Sequence, residues 1–533
     1  MKDNYNVPNI PKEKFAFVHE NERIHDKKFE DKPIGYFKDA MIRFRKSKAA
    51  VVGAYIILAI FLFSFLAPVF INKTSENGTR RDKSFLVTQY GRKPARVTWL
   101  RDTIGILDGG VERTVTEPEL IRLTAIGVGA ANYDGTPISV KDGMEDYHQP
   151  LINVSEPTVV LDARKKEVNQ YDVRVDTYLE VGFLYMQIAQ DKLQPILDWQ
   201  EETGLQVLYP LVESNNFNPD PTDANNWYKA KKVGNPVATN ASGQTIKLAY
   251  SEDMVLEDNY KRDADGNVKY WEYVGGGNAE TAELKIRVLY YNYYQYLYGF
   301  LPNYLMGTES QGYDMALRIA DGIRLSLLIA VCVCVINFVL GAAYGAVEGY
   351  YGGAVDLILE RVSDILSGVP FIVVAALFQI HLAAKVGAIP SLLFSYVLTG
   401  WIGTAYRVRT QFYRFKNQEY VMAARTLGAK DSRVIWKHIF PNTLGTIITS
   451  SALAIPSTMM SESMLSYLGI VQLGGASGTS LGTLLADAES RWIQFPHLML
   501  YPALIISLLM ISFNLFGNGL RDAFNPSLRG VED

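Results

Sequence analysis

Hydrophobicity along the chain alternates between long uncharged runs and one long polar block. The first run, Ala49 to Ile71, carries no charge and is long enough to cross the roughly 30 Å hydrocarbon layer of a bilayer. It starts too far from Met1, and runs too long, for a cleaved signal peptide. Residues 72–303 are polar and mixed. Apolar runs then resume at Leu325–Val347, about Asp356–Ala383, about Ile389–Tyr406, about Asn442–Ser463 and about Leu498–Gly517. This pattern predicts a mainly α membrane protein with six transmembrane helices and an α+β block between the first and second. The chain divides into an N-terminal segment 1–48, a first span 49–71, the block 72–303, a five-helix core 304–528 and a tail 529–533.

Within the block, local signals predict particular elements. DKLQPILDWQEETG reads as a short helix stopped by Gly204, since glycine readily takes the left-handed conformation that ends a helix. LQVLYPLV after it reads as a strand. NYKRDADGNVKYWEYV reads as a hairpin turning at Asp265-Gly266. DADGN is no calcium loop, because the twelfth position, which requires glutamate, is Val274. ELKIRVLYYNYYQYLYGF starts as a strand and becomes tyrosine-dense, through Tyr290, Tyr291, Tyr293, Tyr294, Tyr296 and Tyr298. Those rings suit either a binding surface or packing at headgroup level, where amphipathic rings are favoured. GTESQGYDMALRIADGIR reads as a short amphipathic helix on the outer surface, ahead of the second span.

Charge orients the spans. Arg43, Arg45, Lys46 and Lys48 precede the first run, and Lys and Arg resist translocation. That places the N-terminus in the cytoplasm, residues 72–303 outside, and the C-terminus inside. Residues 407–437, which fall inside, carry eight Lys/Arg against Glu419 and Asp431, whereas the outer loops after the third span and before the sixth carry Lys385 and Arg491. The net charge of −4 gives no basic excess for nucleic acid. The two cysteines, Cys332 and Cys334, sit in an apolar run as small hydrophobes, and the polar block has none for a disulfide. No phosphate loop of the G-x-x-x-x-G-K-[ST] form is present, nor an H-E-x-x-H metal motif. The reading is therefore non-catalytic, with no cofactor or metal bound by this chain.

The segment between the fourth and fifth runs carries the most local information. Glu419 to Leu427 is built mainly of helix formers, Gly428 can end that helix, Asp431 or Ser432 can cap the next, and Pro441 suits a first turn. Ala423 and Ala424 leave a helix face with little bulk for another protein to approach. Ionisable residues within the runs are the other candidates. Glu360, Arg361 and Asp364 open the third span, and Arg361 and Asp364 can pair at i,i+3. Helix pairing is the first reading for them and lining of a path the second. Glu462 lies near the outer end of the fifth span, at the mouth of a path or at a helix contact.

Glu419, Ala423-Ala424, Gly428 and Pro441 resemble the EAA signature of permease subunits in ATP-binding-cassette importers, with His438 and Phe440 standing where isoleucine and leucine are usual. The resemblance extends to FRKSKAAVVGAYIILAIFLFSFLAP, MGTESQGYDMALRIADGIRLSLLIA, GYYGGAVDLILERVSDILSGVPF and LRDAFNPS. These are similar to segments of the C-type subunit of oligopeptide and dipeptide importers. The likeness covers residues 37–71 and about 304–528, and the block between is larger than the family's short external segment.

The resemblance implies a coupling helix within 413–440 that docks on an ATPase through Glu419, Tyr420, Ala423, Ala424, Gly428, Ala429 and Lys430. The implied partners are a second homologous permease, two ATPase subunits carrying ATP and Mg, and an extracellular substrate-binding lipoprotein at a bacterial plasma membrane. The implied solute is an oligopeptide or dipeptide, with a nickel chelate, opine, glutathione or peptide antibiotic as alternatives. A membrane-anchored sensor or cell-wall enzyme is the rival from another class. An anchor needs only one or two spans and no patterned inner loop.

Overall fold

The computed structural model describes residues 36–71, 110–130, 149–213, 223–232, 245–248, 251–275, 282–299, 304–309, 313–473, 478–493 and 495–524. The described chain is mainly helical. It opens with α1 (Tyr36–Lys46), followed directly by the apolar α2 (Lys48–Ile71).

The polar block contains both strands and helices. β1 (Gly110–Thr116) leads into α3 (Glu117–Ala130). β2 (Leu151–Val154), β3 (Thr158–Leu161) and β4 (Glu167–Asp176) join β1 in an antiparallel sheet of order β1-β4-β2, with β3 also beside β4. β5 (Phe183–Ala189) is followed by α4 (Leu193–Thr203) and by β6 (Leu208–Tyr209). β7 (Tyr228–Lys232), β8 (Thr245–Leu248) and β9 (Ser251–Asp258) form a second sheet of order β7-β9-β8. β10 (Trp271–Gly275) and β11 (Glu283–Leu289) complete a third, of order β10-β11-β5, with β6 also on β11. α5 (Tyr290–Tyr298) closes the block.

α3 organises these sheets. Its sequence is apolar on nearly every side, as a helix buried all round must be. Leu120 and Leu123 pack with Val115, Tyr171 and Val173 of the first sheet, while Ile121, Ala125 and Val128 pack with Phe183, Trp227 and Leu289. The Trp227 indole N–H donates to the carbonyl of Ala125 at 2.9 Å. Arg287, 0% exposed, lies over the Phe183 ring at 3.8 Å and donates to the carbonyls of Ala224 (2.7 Å) and Pro210 (3.0 Å). A buried guanidinium is tolerable only when its donors are used this way.

The helix expected to stop at Gly204 is α4, with Gly204 at φ 71°. The hairpin turn is present, with Gly266 at φ 86° and a bridge between Arg262 and Val268. The Asp263 side chain accepts from the backbone N–H of Asp265 and Asn267, and those bonds hold its carboxyl below the usual range. The strand expected over LQVLYPLV shrinks to β6, because the Gln200 side-chain oxygen takes the N–H groups of Val207 and Leu208. Of the tyrosine run, Tyr290 and Tyr294 are buried with Leu284, Ile286 and Val288, and Tyr293, Tyr296 and Tyr298 pack against that cluster. The rings serve the block's own core.

After the block, α6 (Met315–Tyr351) runs for 37 residues. The separate surface helix expected over 307–324 is therefore corrected. Asp314 caps α6 by accepting from the Ala316 N–H at 2.9 Å, and nothing after it interrupts the backbone. Arg318, Asp321 and Arg324 lower the hydropathy of this stretch but leave its helical bonds intact. Arg324 pairs with Asp321 one turn away.

The remaining helices are α7 (Gly353–Ser367), α8 (Phe371–His381), α9 (Ala388–Thr399), α10 (Ile402–Phe415), α11 (Glu419–Thr426), α12 (Phe440–Ala452), α13 (Ala454–Tyr467), α14 (Leu481–Glu489) and α15 (His497–Phe524). Among the described residues four spans are long and apolar enough to cross a bilayer: α2, α6, α9 with α10, and α15. α7 and α8 together make a fifth, bent by 72°. The unbroken third span expected from the sequence is corrected by Pro370, which caps α8 and which restricts the residue before it to extended geometry. The fifth expected span is two helices that meet at Leu453. Pro456 removes the N–H that would bond the carbonyl of Ala452 and its ring crowds that same carbonyl, so the helix breaks there.

Two of the clusters that hold the spans together bear on the polar segment and the bundle. One joins Ile60 of α2, Ile319 and Ile323 of α6, Met459 of α13, Leu481 and Leu484 of α14, and Leu509 and Phe513 of α15. The other joins the far end of α6 to α10, α11 and α12. Close approach of α6 and α10 depends on Gly345, where a Cβ would stand 2.2 Å from the carbonyl oxygen of Ala405. Because the obstacle is backbone, Gly345→Val is expected to destabilise the protein by about 1–3 kcal/mol, read as a lower midpoint in detergent thermal unfolding. An unchanged midpoint would remove this contact from the packing account.

Candidate functional site

In the polar segment between α10 and α12, the helix α11 is held by one buried residue. Val421 of α11, 0% exposed, packs with Ala342, Ala346 and Tyr350 of α6, Val408 and Phe412 of α10, and Val434, Ile435 and Ile439. The other face of α11 is open. Glu419, Tyr420, Met422, Ala423 and Thr426 are exposed, Ala424 is half-buried, and Leu427 is 87% exposed. An isolated leucine this open on a short helix gains nothing from its own chain.

α11 ends in a glycine cap. Gly428 has φ 81°, its N–H donates to the carbonyl of Arg425 at 2.9 Å, and the Ala429 N–H donates to that of Ala424 at 3.0 Å. This is the Schellman arrangement, which uses the orphan carbonyls of the last turn. Lys430, half a turn further and exposed, precedes a helix that resumes at Asp431. The expected cap by Asp431 or Ser432 is corrected: neither side chain caps that helix. The Asp431 carboxylate is taken instead by the Tyr350 hydroxyl at 2.6 Å. The helix widens to π geometry over Val434–Ile439 and becomes α12. Pro441, within the first turn of α12, has no N–H to give the carbonyl of Lys437.

The segment is fastened at both ends. Tyr350 bonds Asp431, and the Arg425 guanidinium lies 5.0 Å from the Tyr350 ring. Lys416 donates to the carbonyl of Gly349 at 2.9 Å. The Asn442 amide reaches the Tyr420 hydroxyl at 3.2 Å and the carbonyl of His438 at 2.8 Å. Burial pushes the Tyr420 phenol up, opposed by the Asn442 bond, so it stays a neutral hydroxyl at neutral pH. A displacement of α11 is therefore passed to α6 and α12 through short polar contacts and the Val421 cluster. Tyr350→Phe is expected to remove one hydrogen bond to a charged group, about 1.5–3 kcal/mol, read as a lower midpoint in detergent thermal unfolding. An unchanged midpoint would show the Asp431 contact to contribute nothing.

The ionisable candidates part company. Glu360 joins a cluster centred on Arg409 of α10, which holds Asp356 at 2.6 and 2.8 Å and Glu360 at 2.9 and 3.0 Å, with Glu348 at 3.6 Å. The Tyr413 hydroxyl adds a bond to Asp356 at 2.7 Å. Arg361 and Asp364 pair with each other at 3.4 Å on an exposed surface, where such a pair contributes little. Glu462 lies apart from all of these. It is 0% exposed and accepts from the hydroxyls of Ser326 (2.9 Å) and Ser466 (3.0 Å), tying α13 to α6.

Sequence reasoning misses Arg409, Glu348, Asp356, Tyr350 and Leu427. In the sequence Arg409 is only one of the basic residues of the inner segment. Acids at 348, 356 and 360 and a lone arginine some fifty residues on are the available signal, but spacing along the chain does not say which helices face each other. Both cysteines are free, and the Cys334 thiol donates to the carbonyl of Ser451 at 3.1 Å.

The described helices make a multi-pass membrane protein whose polar segment bears one open face. Comparison with known proteins makes the class particular. The model of binding-protein-dependent transport system inner membrane components matches residues 341–530, and that of the N-terminal transmembrane domain of oligopeptide transport permease C matches residues 35–84. The oligopeptide transport system permease protein of Bacillus subtilis is 38% identical over 223 residues, covering 42% of this chain and 72% of the relative. The dipeptide transport system permease protein of the same organism is 38% identical over 229 residues, 42% of this chain and 68% of the relative. The oligopeptide permease of Escherichia coli is 35% identical over 224 residues, 42% and 72%. The chain belongs to the binding-protein-dependent transport permeases, in the branch of the oligopeptide and dipeptide permeases. A solved methionine ABC transporter in an inward-facing conformation overlays at 14% identity over 40% of this chain and 98% of that one. At a TM-score of 0.33 that overlay bears on neither mechanism nor partners.

Proposed function

We propose that this chain is one membrane-spanning subunit of an ATP-binding-cassette importer for oligopeptides or dipeptides. It crosses a bacterial plasma membrane six times, counting the bent pair α7–α8 and the broken pair α12–α13 as one crossing each. Both termini are cytoplasmic, and residues 72–303 form an α+β domain outside. A second, homologous permease completes the path, since one chain of this size encloses little. Two ATPase subunits supply ATP and Mg chemistry, and an external binding protein delivers the solute. The support is the identity to named peptide permeases over most of their length.

The mechanical part of the reading rests on one observation: α11 has a buried anchor at Val421 and an open face from Glu419 to Leu427. An ATPase surface seated on that face moves α6, α10 and α12 together. Coupling then requires that nucleotide and solute each favour one arrangement of the spans through differential contacts. The Glu419–Lys430 residues act as the seat, and Gly428 sets the angle at which the seat leaves the bundle.

Affinity purification of the intact assembly from membranes tests this. ATPase subunits are expected to accompany the full chain and to be lost when 413–440 is replaced by a flexible linker of equal length. Retention of the ATPases by the linker variant would overturn the seat.

A further inference from the structure

Two helix junctions lie beside one cavity. α9 gives way to α10 at Gly400, and α12 to α13 at Leu453. Gly400 and Ala454 both line an open cavity of about 230 Å³ between these helices and α6. Irregular backbone at membrane depth is tolerated only where it is buried in protein or lines a water-filled space. Both junctions meet this space.

Its wall carries polar groups that the chain itself leaves without partners. Ser451, 9% exposed, has a hydroxyl with no hydrogen bond, and Oδ1 of Asn337 is closed off with none. Arg407 of α10 lines the same cavity, and its only side-chain bond among the described residues is to the Thr404 hydroxyl at 3.3 Å. Its near neighbour Arg409 has three carboxylates, whereas Arg407 has no acid among the described residues. Eight residues before the helix end at Phe415, it sits about 12 Å in from that end. It follows directly on the fourth apolar run, at the cytoplasmic end of the span, and is exposed. A cation that lines a cavity and has no acid within the described chain can meet an anion there.

We infer that this cavity is a subsite for the terminal carboxylate of the transported solute, a claim that rests on the importer reading above. The Arg407 fork matches a carboxylate's two oxygens. At about 230 Å³ the space is below the roughly 300–1,000 Å³ of drug-sized sites. It holds the end of a peptide and leaves the rest in the path, which is why one subsite can serve many sequences. Arg407 is exposed on its open side, and water there keeps the grip weak. A path must release what it binds.

The test uses the complete importer in liposomes with excess loaded binding protein. Uptake is measured for two peptides that differ only in ending as carboxylate or carboxamide. Any preference of the binding protein cancels when one permease variant is compared with another. In Arg407→Gln the carboxylate-over-carboxamide ratio is expected to fall about tenfold, as for loss of one charge-assisted contact. Arg407→Lys restores part of it. A ratio unchanged in Arg407→Gln overturns the subsite, whether both rates fall together, as they would if Arg407 met an acid on the second permease or a lipid phosphate, or neither falls. If the unaltered importer takes up neither peptide, the peptide-import reading fails and the subsite with it.

Discussion

Gly428→Pro is expected to abolish ATP-driven uptake while the chain still accumulates in the membrane. Gly428 holds φ at 81° and donates its N–H to the carbonyl of Arg425. Proline fixes φ near −65° and has no N–H to give, so both features of the cap are lost at once. The last turn of α11 must then unwind or leave at another angle, and Leu427 and Glu419 no longer stand where the proposed ATPase seat requires them. The spans themselves pack through clusters that do not include Gly428, so insertion is spared. Gly428→Ala separates backbone from bulk. A Cβ there meets nothing within 4 Å, so the cost is the left-handed conformation alone, about 1–2 kcal/mol, with uptake reduced and not lost. Glu419→Lys places a cation at a helix N-terminus, where the dipole opposes it, and is expected to impair uptake in the same assay. Normal uptake by both Gly428→Pro and Glu419→Lys, at matched protein level, would sink the coupling assignment.

Arg409→Ala is expected to be the most damaging change for the bundle itself, lowering stability by about 3 kcal/mol or more. Arg409 engages Asp356 and Glu360 from α7 and Glu348 from α6 at 2.6–3.6 Å. Asp356 and Glu348 are 9% and 3% exposed. Removing the cation leaves like charges facing each other in a poorly hydrated place, which is the costly way to break an ion pair. Arg409→Lys recovers only part, because a point charge cannot fork between two carboxylates. Arg409→Ala with Asp356→Asn is expected to be more stable than Arg409→Ala alone, the sign of direct coupling. Thermal unfolding in lipid nanodiscs reads all four proteins. A midpoint for Arg409→Ala equal to that of the parent would show the cluster to be superficial.

Much of the membrane architecture is legible in the sequence, and each departure has a local cause. Ala49–Ile71 and Leu498–Gly517 match helices to within a turn at most ends, since twenty apolar residues have one cheap solution in lipid. The second span reads too short because Arg318, Asp321 and Arg324 interrupt hydropathy without interrupting a helix. The third and fifth spans read as straight, although Pro370 and Pro456 stand in view. The consequence of a proline inside an apolar run depends on what covers the freed carbonyl. In the polar block, α3 escapes notice because a helix buried on all sides has no periodicity to detect.

In the candidate site, the α11 helix and the Gly428 stop are readable because both are properties of a few consecutive residues. The role of Asp431 is not. A carboxylate at a helix start caps it only if no better donor arrives, and Tyr350 arrives from 81 residues away.

The sequence by itself determined the apolar spans, the glycine cap after α11, the proline at the start of α12 and the kinship with transport permeases. Those follow from hydropathy and backbone stereochemistry, which each residue carries wherever it lies. Only the tertiary structure decided that Arg409 meets three acids while Arg407 meets none among the described residues, that Val421 anchors a helix whose other face is open, and that two helix junctions share one cavity. Such facts depend on how each helix is rotated and which neighbour it faces. That choice is made by close packing of whole surfaces, as where Gly345 admits the backbone of Ala405, and no short stretch of chain encodes it.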